Sequence, residues 1–135
     1  TPDDRLLVTL TGVSRFEIVE ELATTTPYRQ VVANFHPFAI DLVSDLGANE
    51  VNRPALLKAF RDYLNANNMN ADWEQVDAAS TEVLLNTLSL LAPYPPGDKQ
   101  ALLEAPDLKT RADVLVALTE VALRRISPAS QTRLQ

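Results

Sequence analysis

Near residue 50 the hydrophobic period of this chain changes from two to 3.6, and that single change sets its fold class. Before it, apolar side chains alternate with polar ones, as along half-buried strands. After it, apolar residues recur at three- and four-residue intervals, as on helix faces. The strands are not interleaved with helices, so the expected fold is α+β: a small antiparallel sheet followed by a cluster of four or five helices.

Three strands are expected, at 5–11, 14–22 and 28–35. Arg5 to Leu10 is short, apolar and partly β-branched. Gly12 would allow a tight turn or bulge between the first two strands. In the second, Phe16 and Ile18 face one way and Arg15 and Glu17 the other. This predicts that the Arg15 guanidinium pairs with a carboxylate or with carbonyls. Val31, Ala33 and Phe35 face inward in the third, and Pro37, lacking an N–H, ends it. The connections are short, so neighbouring strands should run antiparallel. Residues 37–47 read equally as a short helix closed by Gly47 or as a strand end and loop.

Asn52 is a candidate N-cap with Pro54 in the first turn. Leu56, Leu57, Phe60, Tyr63 and Leu64 form one face of that helix, and Asn65, Asn67 and Asn68 mark its end. A short helix is expected from Asp72 to Ala79, with Asp72 and Gln75 spaced like a capping box. Ser80 should cap the next helix, which carries Val83, Leu84, Leu88 and Leu91. The prolines around Tyr94 break the chain before a short helix through Lys99 to Glu104 with Leu102 and Leu103. Asp107 should cap a last helix ending near Arg125, striped by Leu115, Leu118, Ala122 and Ile126 and widened by Val114 and Val121. The expected organisation is a β subdomain over 1–47, a helical subdomain over 48–126 and a flexible tail over 127–135.

Composition narrows the chemistry. The 135 residues contain no cysteine, one histidine and three isolated glycines, with a net charge of −6. Thiolate metal sites and cysteine nucleophiles are excluded. Phosphate-cradling loops need closely spaced glycines, so neither a Walker loop nor a dinucleotide fingerprint is present. His36 with Asp41 and Asp45 lies at spacings no helical face unites, so no metal and no cofactor is expected. An acidic chain without a basic stripe is a poor nucleic-acid ligand, although Arg5, Arg15 and Arg29 could form a local patch. No apolar run is long enough for a membrane span, and the acidic start does not read as a signal peptide, so a cytoplasmic protein is expected. The three lysines fall at polar helix positions, which disfavours serine–lysine chemistry.

Four aromatic residues are candidates for partner binding. Trp73 either anchors its helix to the core or offers a recognition surface. Tyr94, among prolines, is an exposed contact or a lid on the bundle. Phe35 and Phe38, flanking Pro37, pack inside or present an apolar patch.

Thr9-Leu10-Thr11-Gly12-Val13-Ser14-Arg15-Phe16-Glu17-Ile18-Val19-Glu20-Glu21, followed by Pro27-Tyr28-Arg29, resembles a stretch of the N-terminal substrate-binding domain of Lon proteases. Lys99 to Glu104, then Asp107-Leu108 and Arg111, resembles the closing helices of the same domain. The similarity spans about Arg5 to Arg125, with Gly12, Arg15 and Phe16 as its structural motif. It implies a PUA-like sheet or barrel followed by a helical bundle, of bacterial type. It implies binding of unfolded or client polypeptides, without the ATPase and protease activities that reside in other domains of that family. The family domain opens with more strands than are visible here, so the chain reads as its later two-thirds. The turn to Ser127-Pro128 after Ile126 predicts that the last helix stops there, as in a stand-alone protein. An incomplete barrel would leave open sheet edges, which predicts pairing with a second copy or with an extended client. An RNA-binding module, an adaptor for one protein partner and a hydrolase using His36 are the other readings.

Overall fold

The computed structural model describes residues 6–131, with side chains to Ile126. They fall into two compact units that divide between Ser44 and Asp45. Each is described by itself.

The first unit is a hairpin. Strand β1 (Glu17–Leu22) pairs antiparallel with β2 (Gln30–Asn34). The pairing runs from Glu17 opposite Asn34 to Leu22 opposite Gln30, and it slips between Ile18 and Glu20, leaving Val19 as the extra residue of a bulge. Strict alternation therefore fails within β1. Ile18, opposite Ala33, shares a face with Glu21, opposite Val31. A 3₁₀ segment, His36–Leu42, follows with Pro37 at its start.

Two expectations for this unit do not hold. Residues 6–16 form no strand, and Arg5 lies outside the described residues. A strand exists only where a partner accepts its backbone hydrogen bonds, and apolar composition alone does not supply one. The sheet is thus two-stranded and no barrel closes among the described residues. Gly12 makes no tight turn: it avoids left-handed backbone space and has open room where a side chain would be. The irregularity falls at Val19 instead.

The second unit is helical: α1 (Arg53–Ala66), α2 (Trp73–Ala78), α3 (Thr81–Leu91), α4 (Pro96–Glu104) and α5 (Leu108–Gln131). A 3₁₀ turn, Ala48–Glu50, precedes them, entered through Gly47 at φ 78°. Each cap is local chemistry. The side chains of Asn52, Asp72, Ser80 and Asp107 accept from the backbone N–H three residues on. The Gln75 side chain donates to the Asp72 carboxylate rather than reaching back to its backbone. The end of α1 is a Schellman turn. Asn68 sits at φ 54°, its N–H bonds to Asn65 O, and the N–H of Met69 reaches Leu64 O at 2.9 Å.

The core of this unit joins Val51, Leu56, Leu84, Leu85, Leu88, Leu102, Leu108, Ala112 and Leu115. On α3 the buried face is Leu84, Leu85 and Leu88, with Leu85 wholly inaccessible, whereas Val83 and Leu91 are exposed. The inward stripe is thus one position round from the expected one, because α5 and α4 pack against that side. Leu103 and Val121 are likewise exposed. Helix α5 continues past Ser127-Pro128 to Gln131 instead of stopping. So near a helix end, a proline removes one hydrogen bond and need not break the helix.

Candidate functional site

In the hairpin unit, Arg15 organises the segment after β2. Its Nε donates to Asp41 Oδ2 at 2.9 Å and its Nη2 to Asp41 Oδ1 at 2.7 Å, while its backbone N–H also reaches Oδ2. The guanidinium lies 4.4 Å from the centre of the Phe38 ring. Phe38 is therefore half-buried beneath an arginine, and Asp41 is engaged by a cation. Phe35 behaves differently. It is 55% exposed and packs its ring 5.5 Å from that of Phe16, itself 46% exposed. Ile18, Val19 and Val32 are also exposed apolar side chains. Among the described residues β1 and β2 pair only with each other, so each keeps one unpaired edge.

At the far end of the hairpin, Arg29 and Glu21 form a two-point ion pair at 2.7 and 2.6 Å. Arg29 holds the Glu21 carboxyl below its usual value, and Glu21 raises Arg29 in return.

In the helical unit, Trp73 meets the edge of Phe60 at 6.0 Å and has the Arg61 guanidinium 4.2 Å from its ring centre. It anchors α2 to α1. Tyr94 lines a cavity of about 360 Å³ with Phe60, Tyr63, Met69, Leu91 and Thr119. The Tyr94 hydroxyl lies 2.7 Å from Thr119 Oγ1, and burial pushes the phenol above its usual value. Of the four candidate aromatics, Phe35 and Phe38 thus lie in one unit and Trp73 and Tyr94 in the other. Phe60 touches both the Trp73 ring and the cavity. The cavity is absent from the sequence reading because it forms where α1, α3 and α5 converge. The asparagines after α1 are its one local signal, since their turn places Met69 at the lining.

Arg111 is buried on α5, with Nε on Leu102 O at 3.1 Å and Nη1 on Asn86 Oδ1 at 2.7 Å. It ties α5 to α4 and α3, which gives a structural role to a residue noticed in sequence only as part of a motif.

The lysines are all engaged. Lys58 and Lys109 pair with Asp62 and Asp113 one turn on, and Lys99 Nζ donates to Leu90 O. His36 is exposed. The Asp45 carboxylate accepts from Glu82 N–H while the Glu82 carboxylate accepts from Asp45 N–H. Among the described residues no group of three or more His, Cys, Asp or Glu could hold a metal ion, and no helix is long and apolar enough to cross a membrane.

The class defined by these features is an α+β domain whose hairpin presents apolar side chains and in which Arg15, Arg29 and the three lysines are engaged in structural contacts. Residues 1–120 match the family of the substrate-binding domain of ATP-dependent protease La (LON), and the chain belongs to that family. No curated protein and no solved structure matches it significantly.

Proposed function

We propose that this chain is a non-catalytic polypeptide-binding module whose hairpin unit receives extended, apolar client segments. The observation that carries the reading is the exposure of apolar side chains on both faces of a two-stranded sheet in a chain of this family. Phe16, Ile18, Val19, Val32 and Phe35 stand open, and among the described residues both sheet edges offer unpaired backbone groups. An extended segment can add a strand to such an edge while its side chains meet the aromatic pair. The same surface supports pairing with a second copy, which light scattering at rising concentration would detect. Nucleic acid is a poor partner, because Arg15 and Arg29 are each neutralised by a carboxylate in a chain of net charge −6.

The test is retention of a permanently unfolded polypeptide, and of its folded parent, on immobilised full chain. The unfolded form alone should be held. Phe35→Ser should weaken capture several-fold while leaving the fold intact, because that ring is more than half exposed. Equal retention of both forms, or retention of neither, would overturn the reading. So would salt-sensitive capture of RNA instead of polypeptide.

A further inference from the structure

The cavity in the helical unit carries a chemical specificity that follows from counting protons. A threonine hydroxyl has one proton to donate, and so has a phenol. Thr119 Oγ1 donates to Leu115 O at 2.7 Å, one turn back along α5. Its proton is therefore not available to Tyr94. The 2.7 Å contact between the two hydroxyls must use the proton of Tyr94, with Thr119 accepting. The Tyr94 oxygen is left with lone pairs only.

Apart from the Tyr63 hydroxyl, the other lining side chains are apolar, with Phe60, Met69 and Leu91 among them. The volume of about 360 Å³ lies within the range of ligand pockets. Met69 and Leu91 are exposed, so the cavity opens to solvent beside them. A polarizable sulfur at that position suits contact with a ring edge. A purely apolar guest would fill the space but leave the phenol oxygen without a donor, and a guest offering only lone pairs would oppose it.

We infer that this cavity binds a planar aromatic ring carrying one hydrogen-bond donor, of the indole class, with its N–H directed to the Tyr94 oxygen. The ring can arrive as a free small molecule or as a tryptophan side chain, and both present the same donor. This assignment does not depend on the polypeptide-binding role of the hairpin unit.

The chain has a single methionine, so the methyl resonance of Met69 is a unique reporter at the cavity. The full chain, labelled at the methionine methyl, is titrated with indole, with benzofuran, and with N-acetyl-tryptophanamide. Indole should shift the Met69 signal saturably. Benzofuran, which has the same shape but an acceptor in place of the donor, should bind about three- to tenfold more weakly, the worth of one hydrogen bond. A shift with indole but not with the tryptophan amide identifies a small-molecule site, and a shift with both identifies a side-chain site. Thr119→Val, close to isosteric, frees the Tyr94 proton and should narrow the preference between indole and benzofuran. A Met69 signal unmoved by millimolar indole, equal binding of indole and benzofuran, or a preference unchanged in Thr119→Val would each overturn the assignment.

Discussion

Arg15 and Asp41 meet end to end, Nε on Oδ2 at 2.9 Å and Nη2 on Oδ1 at 2.7 Å, with side chains only 12% and 18% exposed. This fork joins Arg15, two residues before β1, to the 3₁₀ segment after β2, and so closes the hairpin unit on itself. Two parallel bonds between planar groups fix orientation as well as distance.

Breaking that fork should destabilise the hairpin unit. Removing one partner of a fully buried ion pair costs about 3–5 kcal/mol, so this partly buried pair should lose about 2 kcal/mol in either Arg15→Ala or Asp41→Ala. The double variant should be little worse than either single one, since the two side chains act through one contact. Hydrogen exchange at the β2 amides reads the effect directly. Additive losses would show that the pair does not act as a unit.

Arg111 should not tolerate the conservative exchange. Lysine keeps the charge but cannot reach Leu102 O and Asn86 Oδ1 together with one ammonium. Arg111→Lys should cost about 1–3 kcal/mol in urea unfolding, since it leaves a buried acceptor without its donor. A variant as stable as the parent would refute the bracing of α3 and α4 by this side chain.

Leu85 is wholly inaccessible at the centre of the helical core. Leu85→Ala should lower stability by about 2–5 kcal/mol, through lost transfer energy and the remaining cavity. Val83→Ala, two positions away but exposed, should change it by less than about 1 kcal/mol. Thermal melts of the two variants side by side test which face of α3 is buried.

Asp107 sits below the ordinary carboxyl value of 3.8, held there first by the backbone N–H of Thr110 and then by its side chain. A group depressed on folding contributes stability that is fully present above its unfolded value and is lost as the pH falls through the folded one. Asp107→Asn keeps the cap and removes the titration. The parent should therefore lose stability relative to this variant as the pH drops from neutral to strongly acid. Asp107→Ala should cost about 1 kcal/mol at neutral pH. Parallel melting curves for parent and Asp107→Asn across that range would contradict the assignment.

The sequence by itself determined the order of elements and most helix starts. Asn52, Asp72, Ser80 and Asp107 are legible because a cap needs only a side-chain oxygen and an N–H three residues on. The hairpin was legible as two alternating runs with a breaker between them. What lay beyond reach were the features that join residues distant along the chain. Leu6 to Leu10 is strand-like in composition but forms no strand, because pairing belongs to a partner and not to a segment. The bulge at Val19 reverses alternation without leaving a mark in composition. Phe35 and Phe38 look equivalent in sequence, yet one stays open and the other lies beneath Arg15, whose partner Asp41 is 26 residues away. The acceptor-only oxygen of Tyr94 arises because Thr119, 25 residues on, has already given its proton to Leu115. Local chemistry fixed where each element begins. Tertiary packing alone decided which side chains remain free, since that depends on which distant groups meet them first.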